Sequence, residues 1–500
     1  MRAHPNNAGM TMNTGLALAC LLLPLTLHAQ GEVPFADFFV DSTLRIDFFH
    51  TGSKTQESIA LDHSYRQGIW AGSTRNLVDH FNLGRYGVQV YDTASGRLIF
   101  SKTYDSYFGE YRTTEPARLG IARTYHESVL VPFPRRPVRV EFEHRDRRNV
   151  YHPLASVIVD PADYHIITES PSRGDSVYSV YVSGPPHERV DLLIIGEGYT
   201  LEERGKFEAD LRRYTDVFFS WQPYARLKAK FNVRGIYSPS PQDGVDEPRQ
   251  GIYRHTLLGA SFNSLDSDRY LLVEDNRLMR DVAAQAPYDA LLIMVNSRRY
   301  GGGGLYNTYC CFTSDGTWNE HVMLHEFGHA FAGLGDEYYT KDVAYEDFLE
   351  KGVEPNEPNI TALLDPAQLK WRELVSPGIS IPTEWGQAAF DSLGALRDSL
   401  AGVRAHIAGA RNGITPSRED AAHLAAVDST MRTVGERLRR FFLDHPLRGK
   451  VGAFEGAGYM AKGFYRPTVN SLMNAFNNEE RTYYPVNERA IERIIASFSE

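Results

Sequence analysis

Only three cysteines occur in 500 residues, and two of them, Cys310 and Cys311, are neighbours. Adjacent cysteines bridge each other only with strain, so no disulfide framework holds this chain and its stability must come from its cores. The pair reads as two small residues packed beside a strand rather than as a metal or redox site. Long basic runs are also missing, and the net charge is −10. That leaves no electrostatic footprint for nucleic acid. No stretch is apolar for long enough to span a bilayer. The run from Gly15 to Leu27 has instead the length of a secretory signal core, with Arg2 before it and cleavage expected after Ala29. Residues 1–29 are therefore expected to be a signal peptide and the protein to be exported, to the periplasm, the cell surface or the medium. Cys20 lies inside the apolar run, which argues against lipidation.

Five hundred residues exceed what one hydrophobic core serves, and an apolar fraction of 42% is that of a globular protein. The expected class is α+β multidomain. From Phe35 to about Val182, short runs alternate apolar and polar residues, as in Leu44 to His50, Tyr86 to Tyr91 and Val138 to Glu143, with Pro134 and Pro137 between runs. Period-two alternation predicts an antiparallel β-sandwich over residues 30–186. It carries no catalytic constellation and reads as a support or substrate-docking module.

Past Ser183-Gly-Pro-Pro186 the pattern changes. Val190 to Ile195 and Ala290 to Val295 are nearly continuous apolar runs, as strands buried on both faces require. Thr200 and Glu203 form a capping box that opens a helix through about Phe218, and a helix-like stretch runs from about Leu271 to Ala286. Strands alternating with helices predict an α/β domain over 187–500. Inside it, residues 387–445 differ in composition. Leu393, Leu396, Leu400, Val403 and Ile407 step by three and four, as do Leu424, Val427, Met431, Val434 and Leu438, with Asn412-Gly413 and Pro416 between the series. This predicts an antiparallel helical hairpin insert with its apolar seams facing each other. The four glycines Gly301 to Gly304 lack the lysine and serine of a phosphate loop, and read as an edge strand or rim. Asp243, Asp246 and Glu247 offer carboxylates for Ca²⁺ but without the oxygen spacing of a calcium loop, so a polar turn is the preferred reading.

One stretch names a chemistry. In HVMLHEFGHAFAGLGDEYY, residues 321–339, three histidines recur at intervals of four. His321 and His329 stand about 12 Å apart along a helix axis, too far to share a metal with bonds of about 2.0–2.1 Å. The pair His321 and His325 encloses no base. His325-Glu-Phe-Gly-His329 has the form H-E-x-x-H, which turns both imidazoles to one Zn²⁺ and places Glu326 beside the metal as general base. Catalytic zinc keeps one position open and takes three protein ligands. Gly333 and Gly335 let the chain turn back after the helix, so Asp336 is the expected third ligand in preference to Glu337; the competing reading makes both acids a solvated pair.

These residues, with Asn470-Ser-Leu-Met473-Asn, Phe454-Glu-Gly-Ala-Gly458 and Lys462-Gly-Phe-Tyr465-Arg-Pro467, resemble metallopeptidase family sixty-four, the bacterial IgA-peptidase family. The resemblance covers most of residues 35–500. It implies a metzincin-like zinc endopeptidase: a five-stranded sheet, an active-site helix, and Met473 as the methionine of a turn beneath the metal. It also implies that the segment around Gly303 borders a cleft where a peptide adds as an extended strand. The sequence departs from the common metzincin spacing, because Gly333 follows His329 by four residues and Asp336 by seven.

The expected chemistry is hydrolysis of peptide bonds by a zinc-activated water, with Glu326 taking its proton and returning it to the leaving amine. Tyr465 is a candidate to assist the oxyanion. Two rivals stand beside this reading: a secreted adhesion or glycan-binding protein on a peptidase-like scaffold, and a zinc hydrolase of non-peptide amides or esters. Loss of the base would mark the scaffold, and Glu326 is present.

Overall fold

A computed structural model describes residues 32–168, 174–339, 349–409, 418–474 and 481–499. The expected signal peptide and the Asn412-Gly413 and Pro416 turn lie outside the described residues.

The first region opens with helix α1 (Phe35–Phe38) and strands β1 (Phe39–Gly52), β2 (Glu57–Gln67), β3 (Tyr86–Asp92) and β4 (Leu98–Tyr104). The short helices α2 (Tyr107–Tyr111) and α3 (Glu115–Arg118) precede β5 (Arg123–Pro134), β6 (Val138–Arg145) and β7 (Tyr151–Val159). They make two antiparallel sheets, ordered β2-β1-β5 and β4-β3-β6-β7. The alternation seen in the sequence does this: Val88 and Val90 of β3 and Val140 and Phe142 of β6 are buried every second residue. Phe48 of the first sheet meets Phe142 of the second nearly edge-on, 5.0 Å between ring centres.

The second region comprises β8 (Ser176–Val182), β9 (Val190–Glu197), α4 (Arg204–Phe218), β10 (Phe231–Tyr237), the two-residue strands β11 (Ala260–Ser261) and β12 (Leu272–Val273), α5 (Asn276–Ala283), β13 (Ala290–Val295), β14 (Gly302–Leu305), β15 (Tyr309–Thr313) and α6 (Asn319–Ala332). Then come α7 (Gln387–Gly409), α8 (Arg418–Leu443), β16 (Phe454–Ala457), β17 (Met460–Arg466) and α9 (Pro485–Ser499). Its main sheet runs β14-β15-β13-β9-β10-β8. The four inner strands are parallel, and β14 and β8 close the two edges antiparallel. Both β9 and β13 are buried along their whole length, which is why they read as unbroken apolar runs. Leu192 and Ile194 face α4, α6 and α9, while Leu193 and Ile195 face α5. The Thr200–Glu203 capping box is formed, with the Thr200 N–H donating to Glu203 at 3.0 Å; such a cap stabilises a helix start by about 1 kcal/mol.

Two features differ from the sequence reading. Ser176–Val182, expected in the first domain, pairs with β10 as the sixth strand of the main sheet. Its alternating pattern is that of any half-exposed antiparallel strand, so the pattern gives no clue to which sheet it joins. In the hairpin, Val427, Val434 and Leu438 of α8 are buried, but Leu396 and Val403 of α7 are 43% and 39% exposed. Apolar contact is concentrated where Phe390 and Phe442 of the hairpin meet Trp385, Phe454 and Val469.

Residues 34–500 form one compact unit. Arg45 of β1 pairs with Asp281 of α5 at 2.6 Å, the Asp105 N–H donates to the Tyr306 carbonyl at 2.8 Å, and the Asn307 amide donates to Thr103 O at 2.8 Å. The first region is thereby fixed against the end of the main sheet where β14 lies. No described helix is long and apolar enough to cross a membrane.

Candidate metal centre

Helix α6 carries the two histidines on one face, and a change of backbone hand brings the third residue back to them. Gly333 takes the left-handed conformation with φ +58°, its N–H donating to His329 O at 3.0 Å, which ends the helix. Asn359 then holds the returning chain, accepting from the Gly335 N–H at 2.7 Å and donating to Gly335 O at 2.9 Å.

Asp336 Oδ1 lies 3.0 Å from His325 Nε2 and 3.4 Å from His329 Nε2, and the two Nε2 atoms are 3.2 Å apart. Ligands on a tetrahedral zinc at about 2.0–2.1 Å stand about 3.3 Å from one another. The three atoms therefore have the spacing of three corners of such a shell. Both imidazoles are prepared for it. His325 Nδ1 contacts Leu472 O at 3.0 Å and His329 Nδ1 contacts Leu334 O at 2.5 Å. A carbonyl can only accept, so the protons sit on Nδ1 and each Nε2 keeps its lone pair toward Asp336. Asp336 Oδ1 is buried with no hydrogen-bond partner among the described residues, while Oδ2 accepts from the Tyr459 hydroxyl. A divalent cation fits this donor set of two nitrogens and one oxygen.

A second carboxylate–histidine group, Asp47, Asp62 and His126, shows the contrast. There the Asn276 amide donates to His126 Nδ1 at 3.1 Å. The proton must then be on Nε2, which faces Asp62 at 3.3 Å, and both oxygens of Asp47 are taken by Arg45. That cluster is an ion-pair network with no ring lone pair to give. Asp243, Asp246 and Glu247 fall in neither group. Asp246 accepts from the Arg254 N–H and Glu247 pairs with Arg299.

His321 stacks on His325, rings 5.9 Å apart, and lies outside the three-atom group. Glu326 lines a cleft of about 200 Å³ together with His329, Asp336, Tyr338, Tyr459 and Arg269. Burial pushes its carboxyl above the ordinary range, while His325 and His329 pull the other way. For Asp336 burial acts upward too, but when the rings also carry a proton on Nε2 their charge, that of His329 first, prevails and holds it well below the usual carboxylate range. Met473 packs under α6: a Cβ on Gly328 would sit 2.8 Å from its Sδ. Cys310 and Cys311 are free and buried within β15.

Asp336 and Glu337 are both buried, so the solvated-pair reading does not describe them. Glu337 accepts from Asn359 at 3.0 Å, Asn487 at 2.9 Å and Ser471 at 2.6 Å. Tyr465 does not line the cleft; Tyr459, from the turn between β16 and β17, does. Its one local mark is a strained backbone, φ +65° after Gly458, which is not visible among 28 tyrosines in a sequence. The first region also reaches the cleft, through Leu83, Asp105 and Glu110.

The strand β14 borders this cleft, and its outer edge is largely occupied. Gly302 donates to Arg269 O at 3.3 Å and accepts from Leu271 N at 3.1 Å, while Tyr306 O accepts from Asp105 N. By the alternation of an antiparallel strand, Gly304 faces the same way between them.

Residues 179–495 match the family model described as IgA Peptidase M64, and residues 34–154 match that described as Peptidase M64 N-terminus. The class of protein is thus that of peptidases, which are hydrolases. The chain belongs to the IgA Peptidase M64 family, and the two matches take in nearly all of it. No curated protein matches the chain.

Proposed function

We propose that this protein is an exported zinc endopeptidase, with His325, His329 and Asp336 as the metal ligands and Glu326 as general base. The observation that carries the reading is the mutual approach of three ligand atoms to 3.0–3.4 Å, with both imidazole protons committed elsewhere. Zinc bound there would supply Lewis acidity to a water and to the scissile carbonyl. Glu326, adjacent to one ligand and facing the cleft beside another, takes a proton from the attacking water and delivers it to the departing nitrogen. Burial shifts its carboxyl upward, the direction that suits a group that must both take and return a proton. Tyr459 fixes Asp336 through Oδ2, leaving Oδ1 to the metal. Gly304, on the outer edge of β14, would offer one backbone N–H and one carbonyl to an extended peptide.

Four parallel strands, an antiparallel edge strand over the cleft, helix α6 and Met473 beneath it support a metzincin-like fold for residues 187–500, to which Ser176–Val182 adds a sixth strand. The two antiparallel sheets before it are read as a β-sandwich domain, and residues 1–29 as the signal for export. The hairpin 387–445 is read as an insert without a catalytic part.

Casein digestion by the mature chain tests the activity. Wild type is expected to release peptides with new amino termini, and Glu326→Gln to lose at least a thousandfold in kcat while keeping its metal. Cleavage by Glu326→Gln at the wild-type rate would refute the assignment, and hydrolysis of small amides without protein cleavage would favour a non-peptide hydrolase.

A further inference from the structure

Tyr306 borders two cavities: the cleft just described and a second one of about 330 Å³ between the first region and the main-sheet region. The second holds none of the proposed ligands or the base. Aromatic rings in its wall include Trp70, Phe81, Phe100 and Phe498. Trp70 and Phe100 meet edge to face, 5.7 Å between centres.

Two cations line this cavity from different elements, Lys102 of β4 and Arg280 of α5. Neither forms an ion pair with any described residue. Arg280 is buried, only 4% exposed, and its Nη1 donates to the Tyr288 hydroxyl at 3.1 Å. Its Nε–H has no acceptor among the described residues. Lys102 is pushed down to about 8, first by burial and then by repulsion from Arg280.

The carboxylates that share the cavity are committed elsewhere. Asp289 accepts from the Asp191 N–H at 2.9 Å, and burial followed by the Asp191 charge pushes its carboxyl well above the ordinary range. Asp79 accepts from the Phe81 N–H at 2.7 Å and from the Thr103 hydroxyl at 2.5 Å. Asp289 and Asp79 draw on Lys102 from the side, but two like charges beside aromatic rings, one with an orphaned buried N–H, remain costly unless an anion joins them. The volume is at the small end of ligand sites, about 300–1,000 Å³.

We infer that this cavity binds a small carboxylate with an apolar body, the carboxylate bridging Arg280 and Lys102 and the body lying against Trp70 and Phe100. The bidentate fork of arginine suits that group, and the aromatic walls suit a ring or short chain. A free organic acid and the C-terminus of a peptide ending in an apolar residue share this chemistry. The inference does not depend on the proteolytic reading, because it uses none of the same residues.

Titration calorimetry on the mature chain tests it, with 4-phenylbutyrate against the uncharged 4-phenylbutanol, and acetyl-Ala-Phe against its C-terminal amide. The acid is expected to bind at least tenfold tighter than the alcohol. Lys102→Met and Arg280→Gln should each weaken the acid by about 10- to 100-fold, the range of a charge-assisted hydrogen bond. Without ligand, Lys102→Met should melt at or above the wild-type temperature, since it removes a half-buried charge that has no ion-pair partner among the described residues; that also shows the variant is folded. If acetyl-Ala-Phe binds tighter than both its amide and phenylbutyrate, the carboxylate is that of a peptide; the reverse assigns it to a free acid. Equal binding of acid and alcohol, unchanged affinity in both variants, or no binding of either acid at millimolar concentration would overturn the inference.

Discussion

Glu337 follows the third proposed ligand and is fully buried, yet it faces the protein rather than the cleft. Its Oε1 accepts from two amide groups, Asn359 and Asn487, and its Oε2 from the Ser471 hydroxyl. Its own N–H donates to Met473 O at 2.9 Å. One carboxylate thus ties together the ligand loop, the methionine turn and α9. Glu337→Gln replaces one acceptor oxygen by a donor. Placing the new NH₂ at Oε1 sets it against two amide donors, so it must take Oε2, where Ser471 has to turn from donor to acceptor. Its hydroxyl oxygen already accepts from the Met473 N–H at 3.1 Å. Hydrogen bonds to a charged group contribute about 1.5–3 kcal/mol and neutral ones about 1, so weakening three of them should cost about 1.5–6 kcal/mol. The loosened loop carries Asp336, and support residues around a metal typically change affinity by about 10- to 100-fold. Zinc affinity by chelator competition and the urea midpoint of the metal-free protein measure the two effects. An unchanged affinity with an unchanged midpoint would refute this account of Glu337.

Three further outcomes are expected. Tyr459→Phe removes the donor to Asp336 Oδ2 and should lower zinc affinity by about 10-fold; unchanged affinity by the same competition would show that the hydroxyl plays no part in holding Asp336. Gly304→Ala would place a Cβ 2.5 Å from the Glu326 backbone oxygen, which no rotamer relieves, so it should cost about 1–3 kcal/mol. Gly205→Ala in α4 meets nothing within 4 Å and should gain about 0.5–1 kcal/mol, a contrast that urea midpoints resolve. His50 lies between Glu127 at 3.0 Å and Glu57 at 3.1 Å; burial lowers its affinity for a proton, but the two carboxylates outweigh it and the folded value is raised. Its stabilising contribution is therefore complete below the unfolded value of about 6.5 and is lost as pH rises through the folded one. The wild-type melting temperature should fall across that window, and His50→Gln should flatten the slope.

Where one residue type has one physical use, the chain was legible. The continuous apolar runs of β9 and β13 could only be strands covered on both faces, and the H-E-x-x-H spacing puts two imidazoles on one helix face whatever surrounds it. Where the outcome depended on distant partners, it was not. Ser176–Val182 has the alternation of the earlier strands, and only β10, some fifty residues on, decides its sheet. Leu396 and Val403 have core spacing, but the hairpin covers them incompletely. Nothing in the sequence marks Glu337 as a buried tie, because its three donors come from residues 359, 471 and 487. Tyr459 reaches Asp336 through a hairpin turn, whereas Tyr465, in a better-marked motif, lies outside the cleft.

The measurement that bears most directly on the metal centre is zinc content by elemental analysis after loading and exhaustive dialysis, on wild type, Glu326→Ala and Asp336→Ala side by side. One zinc per chain is expected in wild type and in Glu326→Ala, with a clear loss in Asp336→Ala. No zinc in wild type, or full retention in Asp336→Ala, would contradict the proposed ligand set.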